Sequence, residues 1–269
     1  MIFTVDGIDY YYEVSGSGEP LILLHGFTGD SSTWDSIKSY LIESFKIISI
    51  DIIGHGNTAS PIESSKYTME QVTAHICLLM NHLSLDKAHI LGYSMGGRLA
   101  LSFSIAFPER VKSLILESAS PGLKTDEERS LRIQADDQLC QMIMQQGLKA
   151  FVHYWESISL FQTQKSIEES VKLQIRQQRL KNNPIGLVNS LKGMGTGVQP
   201  SWWDDLNKIE IPALLLCGEK DPKFCSISKE MKLLMAKSEL IEVDGVGHAI
   251  HVEDPRKFGT MVREFLRKN

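Results

Sequence analysis

The chain has 269 residues, 42% of them apolar and 23% charged, with a formal net charge of −5. These values suit a soluble globular domain with room for an insertion. They argue against a nucleic-acid binder, since there is no basic excess to pair with phosphates. No apolar run approaches the roughly 18 residues needed to cross a bilayer, so no membrane partner is expected.

The first residues lack the basic-then-apolar pattern of a secretory leader. The four cysteines, Cys77, Cys140, Cys217 and Cys225, show neither C-x-x-C pairing nor metal-ligand spacing. The expectation is reduced thiols in a cytoplasmic monomer, with no metal and no cofactor.

Residues 2–5 and 9–14 read as strands joined through Asp6-Gly7, a hairpin signal. Residues 20–24 form a short apolar run, as expected of a strand covered on both faces, and lead into His25-Gly26-Phe27-Thr28-Gly29. A helix with a polar start is predicted over 31–44 and a strand over 45–51, followed by Gly54-His55-Gly56. Residues 68–83 have helical period, with Thr68 and Gln71 spaced like a capping box. An apolar run over 87–92 meets a helical pattern beginning at Met95, and residues 111–117 form another strand.

From 121 to 203 no strand-like run occurs, and the segment is charged, glutamine-rich and helical in period. Strand and helix then alternate again at 211–217, 226–236, 239–243 and 255–267. The pattern implies an α/β fold, a mainly parallel sheet with helices on both faces, built from residues 1–120 and 204–269. Residues 121–203 would be a helical cap, or lid, over the carboxyl edge of the sheet, where such folds bind ligands.

Gly92-Tyr93-Ser94-Met95-Gly96 sits between strand and helix and fits the G-x-S-x-G nucleophile elbow. A serine hydroxyl needs an imidazole to take its proton and a carboxylate to fix the imidazole tautomer. In chain order the later strands end at Asp221 and His248, the serine–acid–histidine order of α/β-hydrolases. Glu219 resembles a turn residue, and His251 reads as a surface or lid-facing histidine. His75, His82, His89 and His153 read as helix or loop residues without partners at metal spacing, and His25 as the residue that orders its turn. An oxyanion hole would use the backbone N–H groups of Phe27 and Met95. Gly193-Met194-Gly195-Thr196-Gly197 follows no strand and reads as a lid connection rather than a phosphate loop.

Such a triad permits ester, amide, epoxide-like or carbon–carbon chemistry, and fold does not choose among them. Arg98 lies four residues after Ser94 and could share its helix face. It either meets an anionic ligand or sits at the rim against a structural carboxylate. Arg132 and Arg179 in the cap, with Lys223 after Asp221, add cations. Arginine grips carboxylates bidentately, so the set points to a small polycarboxylate substrate.

These residues carry a resemblance over nearly the whole chain. His25-Gly26-Phe27-Thr28-Gly29-Asp30, the elbow with Arg98, and Ser120-Pro121-Gly122-Leu123 with Glu128-Arg129 and Arg132 belong to it. So do Trp155, Asn182-Asn183-Pro184, Val198-Gln199-Pro200, Cys217-Gly218-Glu219-Lys220-Asp221 with Lys223-Phe224, and Gly247-His248. Together they resemble the 2-succinyl-6-hydroxy-2,4-cyclohexadiene-1-carboxylate synthases, the MenH family of menaquinone biosynthesis. Arg98, the Pro-Gly-Leu cap entry and Lys223-Phe224 are the more specific marks. The resemblance implies a lyase that removes a proton from a three-carboxylate cyclohexene and expels pyruvate. It implies catalytic roles for Ser94, Asp221 and His248. It also implies substrate contacts for Tyr93, Arg98, Arg132, Trp155 and Arg179, with Phe161 and Lys223 carried over beside them. The sequence departs at Ile53, where the family usually has proline. Two other readings use the same residues: a hydrolase of small esters or carbon–carbon bonds, and a noncatalytic ligand receptor.

Overall fold

The computed structural model describes residues 1–269. Eight strands form one sheet in the order β1-β2-β4-β3-β5-β6-β7-β8. They are β1 (Ile2–Val5), β2 (Ile8–Ser15), β3 (Glu19–Leu24), β4 (Phe45–Ile50), β5 (Ala88–Tyr93), β6 (Val111–Glu117), β7 (Ala213–Gly218) and β8 (Ser238–Val243). β1 and β2 run antiparallel at one edge, β2 meets β4 antiparallel, and the remaining pairings are parallel. Successive side chains of a strand point to opposite faces. Hence Ile22 and Leu24 join the apolar layer beneath α2 (Met69–His82) and α3 (Met95–Ala106), together with Ile90 and Leu116. Leu21 and Leu23 join the opposite layer with Trp34, Leu91, Leu216 and Phe258. Each fully buried leucine, isoleucine or phenylalanine adds about 1.5–3 kcal/mol, so both faces are strongly held.

The segment predicted as one helix over 31–44 is broken. A 3-10 turn at Ser31–Trp34 leads into a single helical turn, α1 (Asp35–Lys38). Asp30 accepts from Ser32 N and forms a reciprocal cap with Thr33. Short polar side chains there satisfy the backbone locally and stop propagation. Thr68 caps α2 by accepting from Gln71 N at 3.3 Å. The helix after β7, α7 (Pro222–Leu234), starts four residues before its predicted position, because Asp221 caps it and Pro222 takes its first position. α8 (Ile250–Glu253) and α9 (Pro255–Leu266) complete the sheet domain.

Between β6 and β7 lie α4 (Asp126–Ser157), a 3-10 stretch at Ser159–Ser166, α5 (Glu169–Leu180) and α6 (Pro184–Met194). α4 bends at Gly147, whose φ of 82° is in the left-handed region. These elements share a small apolar core of their own: Cys140, Ile143, Phe151, Val152, Leu187, Val188 and Leu191. No helix is long and apolar enough to cross a membrane.

α3 approaches the sheet so closely that side chains do not fit between them. A Cβ on Gly96 would lie 2.0 Å from the Leu24 carbonyl oxygen, and one on Gly92 2.3 Å from that of Gly96. Gly245, at φ 80°, has open space around it. Gly96→Ala is therefore expected to cost about 3 kcal/mol or more, since backbone must shift. Gly245→Ala should cost about 1 kcal/mol, from its left-handed backbone alone. Urea midpoints at unchanged slope measure both.

Candidate active site

The turn between β5 and α3 puts Ser94 at φ 50°, ψ −106°. A non-glycine residue held there carries about 1–3 kcal/mol of strain. The turn persists because its surroundings determine it: Ser94 N–H donates to Glu117 O at 2.9 Å, and Arg98 N–H donates to Ser94 O at 3.0 Å.

His248 lies over this turn. Its Nε2 is 3.1 Å from Ser94 Oγ, and its Nδ1 is 2.6 Å from Asp221 Oδ2. A carboxylate only accepts, so Nδ1 carries the proton and Nε2 is free to receive one from the serine. Asp221 and His248 are buried. Tyr93, Phe161 and Phe224 surround the imidazole, with ring centroids 5.4, 6.1 and 4.7 Å away. A serine activated this way can act as a nucleophile or as a base.

Two backbone donors lie near the turn. The Phe27 N–H makes no hydrogen bond within the protein. Met95 opens α3, where the first N–H groups of a helix have no intrahelical acceptor. Behind Phe27, His25 donates from Nδ1 to Gly26 O at 2.8 Å and accepts Ile52 N–H on Nε2 at 2.9 Å. His25 thus orders its turn as a neutral ring.

Side chains of the segment between β6 and β7 pack against the Phe27 turn. Trp155 lies 5.6 Å from Phe27 and 5.9 Å from Phe161, ring to ring, and its Nε1 is buried without a partner. Arg98 is 8% exposed, and no carboxylate lies within salt-bridge distance of it. Its Nη1 donates to Met194 O at 2.7 Å and to Gln199 Oε1. Burial, and then nearby Arg132, pull its pKa down from 12.5 to about 9, against the opposing pull of Asp136. Arg132 itself donates to Asp136 at 2.8 Å. Arg179 is 6% exposed, 3.6 Å from Glu156, with its guanidinium 4.9 Å above the Phe161 ring. Tyr93, Phe161 and Arg179 line a cavity of about 380 Å³ that also touches Gly26 and Phe27. Lys223 is not brought in: it is exposed, 5.8 Å above Phe224. Met194, the last residue of α6, and Gln199 are the anchor for Arg98.

Of the two places expected of it, surface or lid-facing, His251 is not at the surface: it lines the same cavity as Phe161 and Arg179. It is 1% exposed, and its backbone N–H and Nδ1 both bond the carboxylate of Glu117, itself fully buried, at 2.8–3.0 Å. Glu117 therefore holds the elbow with its carbonyl and the segment after His248 with its side chain. The partners lie 134 positions apart, so sequence spacing carries no signal for the pair. His89 also differs: it lies on β5 and bonds Ser113 and Glu19. His75 bonds Tyr10 and Asp6.

Fold and site together define the class. The sequence profile of the α/β hydrolase fold matches residues 19–255, and the chain belongs to that family. A protein of Bacillus subtilis (strain 168), provisionally named 2-succinyl-6-hydroxy-2,4-cyclohexadiene-1-carboxylate synthase, is 45% identical over 97% of this chain and 96% of its own. The synthase of that name from Serratia proteamaculans (strain 568) is 26% identical over 91% of this chain and 92% of its own. The structure of MenH from S. aureus superposes with a TM-score of 0.92 at 34% identity, covering 96% of this chain and 98% of that one. Within the α/β hydrolases, this chain is a member of the 2-succinyl-6-hydroxy-2,4-cyclohexadiene-1-carboxylate synthase family. The enol-lactonase of Burkholderia xenovorans LB400, at 20% identity and a TM-score of 0.86, shares the fold.

His55, packed 5.7 Å from Phe27, gives a pH prediction. Burial, then His25, push its pKa down to about 3 from 6.5. Between those values the unfolded chain binds the extra proton, so stability falls as pH drops below 6.5. The slope from this residue is about 1.4 kcal/mol per pH unit. Urea midpoints between pH 7 and 4 should show it, and His55→Asn should remove that one-proton slope.

Proposed function

We propose that this chain is a carbon–oxygen lyase of menaquinone biosynthesis. It would eliminate pyruvate from 2-succinyl-5-enolpyruvyl-6-hydroxy-3-cyclohexene-1-carboxylate to give 2-succinyl-6-hydroxy-2,4-cyclohexadiene-1-carboxylate. Its relatives' names support the reaction. The observation in this molecule that carries the reading is Arg98, on the first turn of α3 after the serine, a buried guanidinium with no carboxylate of the protein's own in salt-bridge contact. Burying such a charge is costly unless an anion pairs with it, and the proposed substrate brings three carboxylates.

In this reading His248 takes the Ser94 hydroxyl proton, and Asp221 steadies the imidazolium that forms. The serine oxygen then removes the ring proton of the substrate. Negative charge developing on the conjugated succinyl carbonyl is met by the Phe27 and Met95 N–H groups, aligned before the reaction and so requiring no reorganisation. The electrons close the second ring double bond as the carbon–oxygen bond to the enolpyruvyl group breaks. The departing enolate of pyruvate takes a proton, and Ser94 and His248 return to their starting forms. No acyl-enzyme and no cofactor are needed. Arg98, Arg132 and Arg179 would hold the carboxylates, with Tyr93, Trp155 and Phe161 shaping the pocket. Lys223, at the rim, would act only if the Phe224 segment moved inward. The cap, residues 121–203, would exclude water while the base is exposed to substrate.

A coupled assay for pyruvate tests this. Wild type should release pyruvate without taking solvent ¹⁸O into the cyclohexadiene, whereas a hydrolase would incorporate it. Ser94→Ala should lower kcat by about 10³-fold, on the scale of a lost general base. Full pyruvate release by Ser94→Ala would sink the mechanism.

A further inference from the structure

Glu253, at the end of α8, takes no part in the chemistry described above, yet both of its carboxylate oxygens are engaged beside His248. Oε2 accepts the Gly247 N–H at 2.8 Å, and Oε1 accepts the Thr163 hydroxyl at 2.9 Å. Gly247 immediately precedes His248, and Thr163 belongs to the 3-10 stretch inserted between β6 and β7. The single turn of α8 folds Glu253 back to this point, with its own N–H donating to Ala249 O at 3.0 Å.

The packing here is as close as the bonding. A Cβ on Gly247 would lie 2.3 Å from Thr163 Oγ1, and a Cβ on Gly218 would lie 2.1 Å from Gly247 O. The Gly247 backbone is thus enclosed between the end of β7, which leads to Asp221, and a threonine of the insertion. Phe161, two residues before Thr163, meets the His248 ring edge-on at 6.1 Å. Other polar links of the insertion go to the loop after β3: Asn182 Nδ2 donates to Thr28 O at 2.9 Å, and Gln178 Nε2 to Asp30 Oδ1 at 2.6 Å. The chain Thr163–Glu253–Gly247 joins the insertion to the histidine turn instead. His248 Nε2 stands 3.1 Å from Ser94 Oγ, and proton transfer needs that reach. A displacement of about 1 Å in such a contact can cost about 100-fold in rate.

We infer that Glu253 is a positioning residue for His248, with Thr163 as its anchor on the insertion. Their bonds hold the Gly247–His248 backbone where the imidazole reaches Ser94. Both residues act through that backbone. A carboxylate suits the task, because it accepts from two donors at once and brings no proton of its own. The inference rests on the reading of His248 as the base for Ser94, and is independent of which substrate the serine meets.

The test uses the full chain and two readouts: kcat and KM for pyruvate release, and the rate at which a fluorophosphonate labels Ser94. In labelling, the serine oxygen bonds to phosphorus, fluoride leaves, and His248 takes the hydroxyl proton. That rate therefore reports the Ser94–His248 pair whatever the natural substrate is. Thr163→Val keeps the side-chain shape and removes the hydroxyl. It should lower kcat and the labelling rate about tenfold with KM within about twofold, since the lost alignment is felt in the transition state. Thr163→Ser should restore both rates. Glu253→Ala should lower both about 100-fold, whereas Glu253→Gln, which can still accept the Gly247 N–H, should stay within about threefold of wild type. In the Glu253→Ala background Thr163→Val should add nothing further, because the two act as one unit. Urea midpoints show that each variant is folded under assay conditions, and if Glu253→Ala is not, the Thr163 pair carries the test. Lower midpoints with unchanged kcat and labelling overturn the inference, as do a rise in KM at constant kcat and additive effects of the two substitutions. A wild type that is labelled but releases no pyruvate overturns the lyase reading alone, and the labelling series still decides the role of Glu253. A wild type that does neither removes the activated serine, and this inference with it.

Discussion

The close approach of α3 to the sheet is the constraint on which the site depends. Gly96 lets the helix rest on the carbonyl of Leu24, and Gly92 lets the strand pass beneath the carbonyl of Gly96. No larger residue could occupy either place without moving backbone. That contact forces the turn at Ser94 into a left-handed conformation and lifts the hydroxyl toward His248. The strain is local, and the burial of two apolar layers holds it in place.

A second layer keeps the two sides of the site in register. Glu117 receives the Ser94 amide on its carbonyl and the amide and ring of His251 on its carboxylate. Three residues before His251, His248 is thereby tied to the strand that also holds the elbow. On the opposite side, His25 links the Phe27 turn to Ile52. Both arrangements use buried polar groups whose hydrogen bonds are met, so they add definition rather than charge.

The cap solves a different problem. It has a small apolar core and contributes two arginines to the region around the site, Arg132 and Arg179, while its end receives Arg98 from α3. Arg98 is held by a backbone carbonyl and a neutral glutamine, which fix its position without cancelling its charge. An arginine clamped by a carboxylate would have little left to offer an anion. In the proposed reaction these neutral acceptors leave the Arg98 charge available to a substrate carboxylate.

Local features were legible in the sequence because they are encoded within a few residues. Alternating short apolar runs and helical periods placed the strands and the cap segment, and the glycine–serine pattern marked the elbow. Strand ends carrying Asp221 and His248 could be found because their order along the chain maps onto the edge of a parallel sheet. Less was legible where short-range chemistry competes with periodicity. Polar residues near 31–36 cut a predicted helix to one turn, and Asp221-Pro222 began another helix early.

By itself, then, the chain's order of residues determined the class of fold, the strained serine turn and the kind of side chains available to it, since each depends on neighbours in the chain. Only the tertiary structure decided which polar groups would meet. Glu117 with His251, and Arg98 with Gln199, join segments with no spacing in common. It also decided that Lys223 stays at the surface. The physical reason is that a buried polar group's role depends on whether an acceptor or donor reaches it, and that is set by how sheet and cap close over one another.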